Sequence, residues 1–212
     1  MKCLVATLGF DADFVLRRLM KEEQGRLVCL ALHVEEQAWS RVERAFALVK
    51  YYCETRRMEC ELQKIGKENV LGEVLEVLER ELKRCDVLTL YLTGGPRLLV
   101  ASAIFSSLLL PPWEGERVTL EVEGEGFEAR LEVSMKAFSA LLSMDEIEKA
   151  IVAEALKGPV RPSELPKRIK IAKSTAYRKV KELEKMRVLV KRDGAAVEEY
   201  FLSEDLRRAI RV

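Results

Sequence analysis

The chain has 212 residues, of which 49% are hydrophobic and 33% charged, and its net charge is +1. That length allows one large domain or two small ones, and that much apolar material excludes a disordered chain. The single asparagine and three glutamines, beside abundant Glu, Lys and Arg, fit a heat-adapted protein.

In chain order, Cys3–Thr7 reads as a strand, Asp11–Lys21 as a helix, Leu27–His33 as a strand and Gln37–Arg57 as a longer helix. Met58–Ile65 alternates like a strand. Glu68–Arg84 carries Val70, Val74, Val77, Leu78 and Leu82 at helical spacing. Asp86–Leu92 is a fourth strand and Pro96–Leu110 the next helix, ended by Pro111-Pro112. Arg117–Glu123 and Phe127–Val133 alternate with period two around Gly124-Glu125-Gly126, a hairpin signal. Leu88–Leu110 is apolar enough to resemble a membrane span, but Gly94-Gly95-Pro96-Arg97 breaks it into halves that are each too short. With no leader ahead of the first strand, the chain reads as cytoplasmic.

Alternating strands and helices predict a Rossmann-like, mostly parallel sheet, an α/β fold. In the order 3-2-1-4 the first and fourth strands are neighbours, and ligands bind beyond their carboxyl ends at that switch point. The loops there are Thr7-Leu8-Gly9-Phe10-Asp11 and Thr93-Gly94-Gly95-Pro96-Arg97. Each ends a strand on threonine, continues through glycine and opens a helix, where free N–H groups attract anions. The glycines permit a close backbone approach, and Pro96 suits a first helical position. A plain strand-to-helix turn explains either loop alone; two side by side point to a polar ligand. The helix Pro96–Leu110 is apolar nearly all round, so its outer face needs a cover: a twofold partner, or another element of the same chain.

Ser134–Ser143 lacks a strand pattern and reads as a bridge, with residues 135–143 as linker between domains at 1–134 and 144–212. In the last of these, Ile147, Ile151, Ala155 and Leu156 form one helix face, stopped by Gly158-Pro159. A short helix starts at Pro162-Ser163-Glu164-Leu165. In KIAKSTAYRKVKELEKM, Ala176, Val180 and Leu183 face a core, while Lys173, Ser174, Thr175, Tyr177, Arg178 and Lys181 point elsewhere. Val188–Arg192 and Val197–Leu202 flank Asp193-Gly194 as a hairpin. Residues 161–192 hold 12 basic and 3 acidic side chains, a local +9 that suits a polyanion.

Five cysteines without a CxxC pair argue against zinc or a disulfide framework. Cys3, Cys29 and Cys85 read as buried thiols; Cys53 and Cys60 are the pair considered for a bridge in a thermophile. The lone histidine, His33, ends a strand and reads as structural. No cofactor, metal site or catalytic residue is expected.

IAKSTAYRKVKELEKMRVLVKRDG resembles the recognition helix and wing of archaeal and bacterial winged helix-turn-helix regulators, an α+β domain, although Ala172 stands where an N-cap serine is common. With MKCLVATLGFDADFVLRRL and LTLYLTGGPRLLVASAIF, the whole chain resembles the CARF-plus-winged-helix regulators of archaeal CRISPR systems. The resemblance implies a homodimer with cyclic oligoadenylate, most often cyclic tetra-adenylate, across its twofold axis. Its contacts would be Thr7, Gly9, Phe10, Asp11, Thr93, Gly94, Gly95, Pro96 and Arg97. Double-stranded DNA would meet Lys173, Ser174, Thr175, Tyr177, Arg178 and Lys181, with Lys191 and Arg192 on the wing. Two other readings stay open: a ring nuclease that cleaves its cyclic ligand, and a metabolite-sensing repressor outside CRISPR. The first loop lacks GxGxxG, which weakens a dinucleotide version of the latter.

Overall fold

A computed structural model describes residues 1–124, 129–192, 197–204 and 206–207. The chain divides into two compact units, Met1–Met135 and Lys136–Val212.

The first unit alternates β1 (Lys2–Thr7), α1 (Asp13–Lys21), β2 (Arg26–His33), α2 (Glu36–Thr55), β3 (Glu59–Gly66), α3 (Val70–Leu82), β4 (Val87–Tyr91) and α4 (Arg97–Leu109). The short α5 (Pro112–Gly115), then β5 (Val118–Glu123) and β6 (Arg130–Ser134), complete it. The six strands lie in the order β3-β2-β1-β4-β5-β6. All neighbours are parallel except β5 and β6. Strands covered on both faces need continuous apolar runs, and Cys3–Thr7 is buried throughout. Arg117–Glu123 thus forms a parallel rung beside β4 as well as one arm of an antiparallel pair. The hairpin turn expected around Glu125-Gly126, and the start of the expected strand at Phe127, lie outside the described residues.

Helix starts shift slightly from expectation. α1 begins at Asp13, where Asp11 Oδ1 accepts the Asp13 N–H at 2.9 Å. Pro96 occupies the N-cap of α4 in an extended conformation, not the first helical position. Asn69 caps α3 by accepting the Gly72 N–H.

The cysteine expectation needs correcting. Cys3 and Cys85 form a disulfide, while Cys53 and Cys60 are free. The two bridged residues are 82 apart in sequence but meet because β1 pairs with β4. Glu81 lies beside this bridge, fully buried. Arg26 clasps it bidentately, Nε at 2.6 Å and a terminal nitrogen at 3.2 Å, and Arg80 adds a third contact at 3.0 Å. With the sulfurs bonded to each other and the carboxylate held by guanidiniums, that trio is not a metal site.

The segment expected as a linker is a helix, α6 (Met135–Ser143). The second unit contains α7 (Glu146–Lys157), α8 (Leu165–Ile169), α9 (Lys173–Lys185), β7 (Leu189–Lys191) and β8 (Tyr200–Leu202). Asp145 and Glu148 form a capping box on α7. Lys179 of α9 reaches Asp145, Glu148 and Glu182 at 2.8–2.9 Å, so it binds α9 to α7. β7 and β8 pair antiparallel, and Val160 adds a bridge to Tyr200. Ile151, Leu165, Ala176, Val180, Leu183, Val188 and Tyr200 are all fully buried in one core. The expected turn at Asp193-Gly194 lies outside the described residues.

Candidate functional site

The loop after β1 and the loop after β4 touch. Thr7 Oγ1 donates to the Gly94 carbonyl. A Cβ added to Gly94 would stand 3.0 Å from the Thr7 carbonyl oxygen, and one on Gly9 would stand 3.2 Å from Gly95 Cα. Gly95 has φ +87°, and its Cβ would meet the Leu8 carbonyl at 3.2 Å. These glycines therefore let two backbones interlock. The closeness that the sequence leaves available for a ligand is largely used by the loops themselves.

What remains at the surface is narrower than the sequence set. Thr7 is fully buried and its hydroxyl is engaged, so it latches the loops together and presents nothing outward. Thr93 Oγ1 accepts the Glu123 N–H at 2.9 Å. Phe10, Asp11, Gly95, Pro96 and Arg97 are exposed, while Gly9 and Gly94 are half-buried. Arg97 is the first residue of α4, whose N-cap supplies no side-chain acceptor and whose first turn has no acidic residue. Positive side chain and helix N-terminus thus add at one place. At α1 the exposed Asp11 and Asp13 oppose the same effect.

A buried polar network lies behind these loops, and the sequence gives little sign of it. Arg18 of α1 binds Glu121 of β5 at 2.7 Å, with both nearly inaccessible. Lys21 pairs with Glu123, which also accepts the Tyr91 hydroxyl at 3.1 Å. Burial opposes ionisation of Glu123, yet the Lys21 ammonium and the Tyr91 hydroxyl outweigh it and hold its carboxyl below the ordinary range. Burial, and then the Glu123 charge, push the Tyr91 hydroxyl up to about 12, against a hydrogen bond to Thr93. Thr93 is the point where this network meets the second loop.

α4 carries a bare apolar stripe. Leu98, Ala101, Phe105 and Leu109, at i, i+3, i+7 and i+11, are exposed on one face. The opposite face is filled by Leu99, Ser102, Ala103 and Ser106, and Ser106 Oγ donates to the Leu71 carbonyl of α3 at 2.8 Å. Trp113, just beyond, is 72% exposed. His33 faces Glu36 at 3.2 Å and the edge of Trp39.

In the second unit, Lys173, Ser174, Tyr177 and Arg178 are exposed on the amino-terminal half of α9, and Thr175 is half-buried. The α9 N-cap, Ala172, makes no side-chain cap, as its identity predicts. Arg178 meets Glu182 only at 3.4 Å. Three other expected contacts are already paired: Lys181 with Glu184, Lys191 with Glu198, and Arg192 with Glu199. Among the described residues, no carboxylate lies within 4.0 Å of Lys173.

Comparison with known proteins places the first unit. The sequence pattern of the Csa3 CRISPR-associated Rossmann-like domain matches residues 2–134. The chain belongs to this family. The Csa3-type match spans all six strands of the sheet and both loops at the switch point. Among curated proteins, none matches significantly. Among solved structures, Can2 from Sulfobacillus thermosulfidooxidans in complex with cyclic tetra-adenylate aligns at a TM-score of 0.46 and 10% identity, over 98% of this chain and 60% of that one. Protein VC1899 from Vibrio cholerae aligns at 0.43 and 10%, over 98% and 63%. The chain therefore spans about three-fifths of the length of either. Among the described residues, no helix is long and apolar enough to cross a membrane.

Proposed function

We propose that the chain is a cytoplasmic, homodimeric transcriptional regulator of a CRISPR system. Its first unit, a CARF sensor at 1–134, takes cyclic oligoadenylate, with cyclic tetra-adenylate as first candidate. Its last unit, at 144–212, is a winged helix-turn-helix that binds double-stranded DNA. The observation that carries this reading is the interlocking of two glycine-bearing loops beside Arg97 and an uncapped helix N-terminus, in a chain of the Csa3 family.

Phosphates of the ring lie at Arg97 and the first-turn N–H groups of α4. Asp11, which already holds its own helix start, is available to a ribose hydroxyl. Thr7 and Thr93 act by fixing the loops. The apolar stripe of α4 is the homodimer face, which sets a twofold-symmetric ring against two copies of the same loops. In the DNA-binding unit, α9 enters the major groove by its amino-terminal half. Lys173, Ser174, Thr175, Tyr177 and Arg178 make the contacts there. Lys181, Lys191 and Arg192 must trade carboxylate partners for phosphate. Ligand in the sensor biases the separation of the two α9 helices, which must match half-sites about one DNA turn apart.

Arg97→Ala is expected to weaken cyclic tetra-adenylate binding by about tenfold, the scale of one charge-assisted contact, while bare-DNA affinity stays near that of wild type. Titration calorimetry reads the first and a shift assay the second. Unchanged nucleotide affinity removes Arg97 from the site. Arg178→Ala is expected to cost about 1–3 kcal/mol of DNA affinity at fixed salt. No loss there moves the main contact to Lys191 and Arg192.

A further inference from the structure

Next to the first loop, on the flank formed by α2, an open cavity of about 340 Å³ is lined by Phe10, Asp11, Arg41, Arg44 and Leu48. The Arg41 guanidinium carbon lies 3.9 Å from the centre of the Phe10 ring, within the range of a cation–π contact. Arg44 Nε donates to the Ser40 carbonyl one helical turn back, at 3.3 Å.

Among the described residues some arginines are ion-paired, and others, Arg41 and Arg44 together with Arg56, Arg84 and Arg97, are not. Arg18, Arg26, Arg80, Arg161 and Arg168 each hold a carboxylate within 4.0 Å. Among the described residues, neither Arg41 nor Arg44 has one, although Asp11 lines the same cavity. Both are exposed, three residues apart on one helix face. Two guanidiniums left unneutralised, one of them pinned on an aromatic ring, form a preorganised receptor for a phosphate. Neither arginine lies in a loop or glycine motif, so nothing in the sequence singles them out.

We propose that Arg41 and Arg44 bind a phosphodiester of the nucleotide ligand, extending the site from the two loops onto α2. Phe10 is then a positioning residue: it holds the Arg41 guanidinium at the cavity and meets the ligand through it. The ring also offsets the local cost of Asp11, whose carboxylate alone would repel a phosphate, by keeping a cation beside it. The ligand's identity as cyclic oligoadenylate rests on the reading above; the receptor itself rests on the cavity and its two arginines.

Calorimetric titrations with cyclic tetra-adenylate at two salt concentrations test this, using the full chain, the Arg41→Ala/Arg44→Ala double variant, the corresponding double lysine variant and Phe10→Leu. The double alanine variant is expected to bind at least about tenfold more weakly, with a shallower dependence on salt. The double lysine variant recovers the salt dependence and part of the affinity. Phe10→Leu weakens binding in the wild-type background and adds no further loss in the double alanine background; a further loss there gives Phe10 a contact of its own and ends its positioning role. If wild type binds the ring and the double alanine variant binds it within twofold, the inference is overturned while the sensor reading stands. If wild type does not bind the ring, the sensor reading fails, and ATP becomes the probe. ATP binding that the double alanine variant loses keeps the receptor; no ATP binding by wild type overturns it.

Discussion

Glu81→Gln is expected to destabilise the first unit by about 3 kcal/mol, the low end of what breaking one partner of a buried ion pair costs. Glu81 has no solvent exposure, and the substitution leaves the Arg26 guanidinium buried without its bidentate partner. The low end applies because Arg26 keeps Glu59 and Glu61. At ~2–4 °C per kcal/mol for a chain of this size, the thermal midpoint should fall by roughly 6–12 °C. A fall of less than about 2 °C would show that the pair adds nothing over its neutral replacement. The acid limb gives a second reading of the same pair. Burial raises the Glu81 carboxyl, but Arg26 and Arg80 outweigh it and hold its pKa below the ordinary value. A carboxyl depressed on folding stabilises fully above its unfolded pKa, near ~4.3, and loses that contribution as pH falls through the folded value. Wild type should therefore lose stability on acidification below about pH 5, and Glu81→Gln should flatten part of that slope.

Phe105→Glu is expected to turn the proposed dimer into a monomer. Phe105 sits mid-stripe on α4 and is 57% exposed, with Leu98 and Leu109 at 55% and 58% on either side. A carboxylate there leaves the fold of one chain intact but must be desolvated in a twofold contact, facing its own copy. Dissociation should strengthen at least about a hundredfold, or ~2.7 kcal/mol. Sedimentation velocity across a concentration series reads this directly, and a variant as dimeric as wild type removes α4 from the interface. Binding of a symmetric ring should fall with the dimer, since in the proposed arrangement each copy supplies half of its contacts.

The parts legible in the sequence were those with a local signature. Apolar runs spaced by helical patterns announce the parallel sheet, and threonine–glycine endings mark the two loops that meet at its switch point. Ala176, Val180 and Leu183 show the buried face of α9 by spacing alone. The parts not legible depend on partners far along the chain. Val118–Glu123 alternates as though its carboxylates faced water, yet Glu121 and Glu123 are buried because Arg18 and Lys21 approach from about a hundred residues away. Cys3 and Cys85 look like separate core thiols until β1 and β4 are laid side by side. Thr7 is legible as a candidate by its position at the end of β1, but its full burial and its bond to the Gly94 carbonyl are not. Arg41 and Arg44 carry no motif at all, and only the fold of Phe10 against α2 sets them apart.

The Cys3–Cys85 bridge has a mechanical consequence. β1 and β4 each carry a loop at one extremity, and the bridge ties them covalently near the other. Sliding of one strand along its neighbour is thereby opposed by a covalent tie as well as by the hydrogen bonds of the sheet.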